Sequence, residues 1–142
     1  MTVVDASVVV AALVDGGGDG RWAEDVLQEE PLAAPHHLPV EVANILRRAA
    51  LSEDLSPDVA SLAHADLLDL RVDLVAYAPL ADRVWELRSN VTAYDAWYVA
   101  LAEQLDVPLA TLDQRLSRAT GPQCRFLVPT ERRSPRDEEA EG

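Results

Sequence analysis

The sequence predicts a parallel α/β sandwich. Short apolar runs alternate with longer stretches of helical periodicity along most of the chain, the pattern of parallel strands joined by crossover helices. Two of the clearest runs, Thr2–Val4 and Leu109–Leu112, each deliver an aspartate at their ends, Asp5 and Asp113. Open parallel sheets bind ligands beyond the carboxyl ends of their strands, near a topological switch point, so both acids are expected at one functional edge. With 142 residues the chain has material for one core.

Each element follows from local chemistry. Thr2-Val3-Val4 is a β-branched strand, and Ser7 stands where an N-cap would precede a helix over Val8–Val14. Gly16–Gly20 reads as a flexible turn, after which Trp22, Ala23, Val26 and Leu27 recur at helical spacing up to Glu30. Leu32–Pro35 is a short strand, and Pro39 suits the first turn of a helix running to about Leu51 with Glu41 near its start. Ser56-Pro57-Asp58 starts the next helix, and Val72–Tyr77 alternates like a strand. Pro79 opens a helix carrying Val84, Trp85 and Leu87. Thr92 can cap the strongest helix, with Tyr94, Tyr98, Leu101 and Leu105 on one face and Asp95, Val99 and Ala102 on its neighbour. Pro108 stops that helix. The Leu109–Leu112 strand, a short helix bearing Arg115 and Arg118, and a strand over Arg125–Val128 complete a domain spanning 1–130. The segment 131–142, where arginines interleave with acids, reads as a disordered acidic tail.

Composition removes several function classes. Twenty-five Asp and Glu stand against 12 basic residues, all of them Arg, for a net charge of -13. That argues against a nonspecific nucleic-acid coat. The absence of Lys excludes Schiff-base chemistry and lysine-dependent phosphoryl transfer. A lone Cys124 suits a reducing compartment. The apolar start is interrupted by Asp5 and too short to span a bilayer, so the sequence reads as soluble and cytoplasmic.

The signal lies in where particular acids fall. Asp5, Glu41, Asp95 and Asp113 sit at strand ends or in first helical turns, beside the segments that build the core. Carboxylates converging without Lys repel one another and raise each other's pKa unless a divalent cation neutralises them. Mg²⁺ is the natural candidate, since it takes oxygen ligands and is usually held by one or two carboxylates; Mn²⁺ accepts the same donors. Such an ion activates water and stabilises the charge of an in-line attack on a phosphodiester. Glu41, Asn44 and Arg48 fall on one helical face, opposite Val42, Ile45, Leu46 and Ala49, and this stripe is a candidate path for a phosphodiester substrate. Arg115 and Arg118, close behind Asp113, are further candidates for phosphate contact.

Four segments together resemble the PIN-domain family, specifically the VapC toxins of type II toxin–antitoxin pairs. They are Thr2-Val3-Val4-Asp5-Ala6-Ser7, Glu41-Val42-Ala43-Asn44, Tyr94-Asp95-Ala96-Trp97-Tyr98-Val99-Ala100-Leu101-Ala102 and Thr111-Leu112-Asp113-Gln114-Arg115-Leu116. The resemblance implies a three-layer α/β/α sandwich with a short central parallel sheet and a ribonuclease that cuts single-stranded or looped RNA. It implies that Asp5 and Asp95 are the principal metal-binding carboxylates, with Glu41 and Asp113 completing the cluster through water or a second ion. Thr111 matches a hydroxyl residue found just before the last acid in many relatives, and Ser7 sits like a supporting residue after the first. The resemblance further implies homodimers, inhibition by a VapB-type antitoxin and a tRNA or ribosomal RNA target.

Two other function classes compete. A non-cleaving PIN-like module that holds RNA or a protein has no need to concentrate negative charge where phosphate must lie. A phosphohydrolase of small phosphate esters is disfavoured in its receiver-domain and haloacid-dehalogenase forms by the missing Lys, and in the latter also by Ala6-Ser7 where Asp-x-Asp is required. His36 and His37 read as exposed loop histidines, because Mg²⁺ disfavours imidazole and no Cys supports zinc. No Gly-x-Ser-x-Gly elbow exists to make Ser7 a nucleophile. Tyr94, Trp97 and Tyr98 read as core or dimer-interface aromatics rather than base-stacking groups.

Overall fold

A computed structural model describes residues 1–29 and 31–130. The expected acidic tail, 131–142, lies outside the described residues. Among the described residues five parallel strands form one sheet: β1 (Thr2–Val4), β2 (Leu32–Pro35), β3 (Asp73–Val75), β4 (Leu109–Ala110) and β5 (Phe126–Leu127), in the order β3-β2-β1-β4-β5. Seven α-helices accompany them among the described residues: α1 (Ala6–Val14), α2 (Gly18–Gln28), α3 (Leu38–Leu51), α4 (Pro57–Asp69), α5 (Ala81–Glu86), α6 (Ala93–Leu105) and α7 (Gln114–Ser117). Right-handed crossovers put α1 to α4 on one face and α5 and α6 on the other. The contacts agree, with α1 packing on α2, α3 and α4, and α5 packing on α6. The architecture is the α/β/α sandwich expected from the sequence.

β1 is central, with Val3 opposite Ala33 on one side and Leu109 on the other. Its residues and those of β2 are buried throughout, which is why both read as unbroken apolar runs rather than alternating ones. The chain lays strands outward from β1 to β3, then returns to add β4 and β5 on the opposite side. The switch point therefore falls between β1 and β4, at the ends that deliver Asp5 and Thr111.

Several local expectations are corrected. The N-cap of α1 is Asp5, not Ser7: Asp5 Oδ1 accepts the Val8 N–H at 3.2 Å, and Ser7 lies inside the helix. Either side chain can cap, but only Asp5 has the extended backbone a cap requires. The glycine run is only partly a turn, because α2 starts at Gly18. A Cβ on Gly20 would lie 1.8 Å from the Asp15 carbonyl oxygen, so glycine is needed there for α2 to approach the end of α1. β3 covers only Asp73–Val75 of the expected Val72–Tyr77, since its single neighbour, β2, ends at the Pro35–Val75 pair. β4 and β5 are likewise two residues each. The helix expected from Pro79 begins as a 3₁₀ turn over Ala78–Leu80. Trp85 and Tyr94, read as apolar-face residues, are 66% and 69% exposed.

One ion pair fastens the second face. Arg83 donates from Nε to Glu103 Oε1 at 2.6 Å and from Nη2 to Glu103 Oε2 at 3.1 Å, while Nη2 also reaches the Gly121 carbonyl. This ties α5 and α6 to the segment that leads into β5. Nearby Cys124 is pushed up to about 11 by burial and then by the Glu103 charge, which leaves it an unreactive thiol.

Candidate active site

Parallel strands followed by helices deliver helix N-termini to one edge of the sheet, and α6, antiparallel to the strands, adds its own. The four sequence-selected carboxylates occupy these starts. Asp5 caps α1, Glu41 lies in the first turn of α3, Asp95 in the first turn of α6, and Asp113 caps α7. Each helix start presents unpaired N–H groups and the positive end of its dipole, which favours an anion there.

Asp5 is the best held of the four. Only 7% of it is exposed. The Ser7 hydroxyl donates to its Oδ1 and the Thr111 hydroxyl to its Oδ2, each at 2.5 Å. Those hydroxyls are themselves fixed, because Ser7 Oγ accepts the Leu112 N–H and Thr111 Oγ1 accepts the Asp113 N–H, both at 3.0 Å. The β4–α7 corner is thus laced to Asp5 through two side chains, and this places β4's acid beside β1's. Despite these bonds, burial pushes the Asp5 carboxyl up to about 6, with the Asp95 charge adding to the shift.

Asp95 couples the rest. Burial raises its pKa first, followed by the charges of Asp113 and Glu41, with the Thr92 hydrogen bond and His37 working against them. The Thr92 hydroxyl accepts the Asp95 N–H at 3.2 Å, which caps α6 and fixes the first turn. Beneath the acids the Tyr98 phenol is driven far above its usual range by burial and by the charges of Glu41, Asp5 and Asp95, so it stays protonated.

His37 corrects the expectation of an exposed loop histidine. Its Nε2 lies 2.5 Å from Glu41 Oε1 and 3.1 Å from the Tyr94 carbonyl oxygen. Its ring stacks on Trp97 at 4.5 Å and 7°. The i,i+4 spacing from His37 to Glu41 at a helix start is the sequence signal that could have found it; His36 is exposed as expected.

A cleft of about 400 Å³ is lined by Asn90, Thr92, Asp95, Asp113 and Arg115. Asn90 had no sequence signal, since it sits in an irregular turn. Arg115 makes no ion pair among the described residues. Asn44, Arg48 and Arg118 are exposed and do not line this cleft. Asp113 is also exposed, and its Oδ1 accepts the N–H groups of Arg115 and Leu116.

The donor set suits a hard divalent cation. Asp5 and Asp95 bring carboxylates whose ionisation is opposed by burial and by neighbouring carboxylate charges, and neither has an Arg partner among the described residues. Among the described residues no three His, Cys, Asp or Glu side chains are grouped to hold an ion by themselves. That is compatible with Mg²⁺, which keeps several waters and takes one or two carboxylates. No helix of the described residues is long and apolar enough to cross a membrane.

Comparison with known proteins agrees with the fold and the motifs. The PIN domain family matches residues 2–122. Ribonuclease VapC1 of Mycobacterium tuberculosis is 46% identical over 127 residues, which cover 89% of this chain and 96% of that protein. In structure the chain is similar to VapC20 of Mycobacterium tuberculosis, described as a Sarcin-Ricin loop cleaving toxin, with a TM-score of 0.63 and 20% identity over 82% of this chain and 93% of that one. It is also similar to a chain of VapBC2 from Rickettsia felis bound to a promoter DNA fragment, with a TM-score of 0.63 and 12% identity over 89% of this chain and 97% of that one. With the family matching most of the chain and a curated relative at this identity, the chain belongs to the PIN-domain family, among its VapC-type ribonucleases.

Proposed function

We propose that the protein is a Mg²⁺-dependent endoribonuclease, the toxin of a VapBC-type pair, that hydrolyses phosphodiesters of a tRNA or ribosomal RNA with water as nucleophile. The observation that carries this reading is Asp5, a buried carboxylate at the switch point, clamped by Ser7 and Thr111, its pKa raised by burial and then by the Asp95 charge. Asp5 and Asp95 would hold the ion, with Mn²⁺ as the substitute the same oxygens accept. When bound, the ion activates water and offsets charge developing on the phosphate. The chain's own part is positional. Ser7 and Thr111 orient Asp5, Thr92 fixes the turn bearing Asp95, and Glu41 and Asp113 add negative potential that favours a dication.

The names of the relatives support the partner side of the proposal. A VapB-type antitoxin is the inhibitor, and the active form is a homodimer in the cytoplasm. A pull-down of the tagged protein from its own cells, with the captured partner identified by mass spectrometry, reports the former, and the mass in solution reports the dimer.

The deciding experiment incubates purified protein with total bacterial RNA, with Mg²⁺ or with EDTA, and maps new 5′ ends. Discrete cuts that vanish in EDTA are expected. Binding of RNA without any cut under Mg²⁺ would replace this reading with the non-cleaving module.

Arg115, which lines the acidic cleft and makes no ion pair among the described residues, would meet an RNA phosphate. Arg115→Ala is expected to raise KM several-fold at low salt, with a shrinking difference as salt rises, because phosphate contacts carry the salt dependence of binding. An unchanged KM at every salt concentration would remove Arg115 from the RNA path.

A further inference from the structure

The strand ends lay the site out in a line. Tyr77 follows β3, His37 follows β2, Asp5 follows β1 and Asp113 follows β4, with Arg115 just beyond. At ~4.8 Å per strand these ends cover about 15 Å. The acids occupy the middle. Arg115 stands at one end, and the other end is aromatic.

That aromatic end is built rather than scattered. Tyr77 meets the Trp97 ring edge-on at 5.2 Å and 83°. Trp97 stacks on His37, and His37 is tilted against Tyr94 with centroids 6.2 Å apart. His37 Nε2 also bonds the Tyr94 carbonyl oxygen, so the turn that carries Tyr94 is tied to this stack. The same His37 touches Glu41, and Tyr94 precedes Asp95, which places the aromatic group directly beside two of the four acids. The rings do not all serve the core: Tyr94 is 69% exposed and Tyr77 is 42% exposed.

We infer that this aromatic end is a nucleobase subsite, where an unpaired RNA base next to the scissile phosphate stacks on Tyr94. The inference rests on the ribonuclease reading and adds to it the residue that would hold a base of the substrate. A base in a duplex already has both faces stacked and cannot reach the ring. An unpaired base offers its face, and stacking on an aromatic side chain tolerates any base identity. Charge order supports the same orientation of the strand. A base needs no cation, so the aromatic end can lie among acids, while the strand's phosphates run toward Arg115.

The test uses the full-length protein carrying Asp5→Asn, so that the strand stays uncut. The probe is a fluorescein-labelled unpaired RNA of about ten nucleotides, within the ~4–16 that single-strand sites span, and a matched strand lacking its bases. Adding Tyr94→Ala is expected to weaken binding of the base-bearing strand about tenfold or more, in the range of one lost base stack, while the abasic strand binds unchanged. Tyr94→Phe, which keeps the ring, is expected to bind both strands like the parent. Equal binding of the base-bearing strand by Tyr94→Ala and the parent overturns the subsite alone, as does an equal loss for both strands. A parent that binds neither strand also overturns the subsite, while metal-dependent cuts in total RNA by the wild-type protein decide the ribonuclease reading separately. Because the Tyr94 side chain is exposed, its replacement is expected to leave the melting temperature unchanged, which separates lost stacking from misfolding.

Discussion

Asp95→Asn is expected to lower RNA cleavage at least about a hundredfold while leaving the fold intact. The size follows from its position, since residues that merely support a metal ligand typically account for ~10–100-fold, and Asp95 is proposed as a ligand. The fold survives for a specific reason. The α6 cap is a bond from the Asp95 backbone N–H to the Thr92 hydroxyl, which Asn preserves. Asn also removes a charge that burial, Asp113 and Glu41 oppose more than the Thr92 bond and His37 favour it. Turnover of a mapped RNA substrate measures the effect, with circular dichroism as the fold control. Wild-type cleavage by this variant would remove Asp95 from the catalytic machinery.

Asp5→Asn is expected to abolish cleavage to a similar or greater degree and, without added metal, to make the protein more stable. The second half comes from linkage. The Asp5 carboxyl titrates at about 6 when folded, against 3.8 as its ordinary value. Below the lower value both states are protonated and Asp5 costs nothing. As pH rises from 3.8 to about 6 the unfolded chain ionises more readily than the folded one, so stability falls, and the full loss is present above about 6. The shift corresponds to about 3 kcal/mol at neutral pH, as an order of magnitude. Asn avoids the buried charge and keeps an oxygen to accept from Ser7 and Val8. Its melting temperature at pH 7.5 in EDTA is therefore expected to exceed wild type by several degrees, with the gap closing toward pH 4. Added Mg²⁺ is expected to raise the melting temperature of wild type and not of the variant, because only a binder of the folded state shifts unfolding. A variant that melts below wild type at pH 7.5 without metal would mean that the Asp5 charge is already compensated. Loss of activity with gain of stability is the mark of a strained functional group rather than a structural one.

Much of the fold was legible because its signals are local. Apolar runs bounded by Pro, Gly and capping residues locate β1, β2, α3, α4 and α6 to within a residue or so, and the two aspartates closing their strands point to a single edge. Where the reading failed, a long-range contact outweighed a local preference. Ser7 and Asp5 are equally good caps in isolation, but Thr111, 106 residues away from Asp5, holds the Asp5 carboxylate in place. The glycine run looks like a turn until Gly20 is seen against the Asp15 carbonyl. β3, β4 and β5 are shorter than their apolar runs because ladder length depends on the neighbour's reach.

The site divides the same way. That Asp5, Glu41, Asp95 and Asp113 stand at helix starts was readable from residue type and spacing, since a carboxylate beside a helix N-terminus is a local arrangement. His37 was misread because its character comes from Trp97 and Tyr94, which lie far along the chain. Burial and exposure were not readable either: Tyr94 and Tyr98 share a helical face in sequence, yet one is 69% exposed and the other 1%. The sequence by itself determined the order of elements and the chemical identity of the acids, because propensity, capping and the character of a carboxylate belong to residues and their immediate neighbours. Only the tertiary structure decided which acid is desolvated, which hydroxyls hold it and which aromatic rings face solvent, because those properties depend on what the folded chain packs against each group.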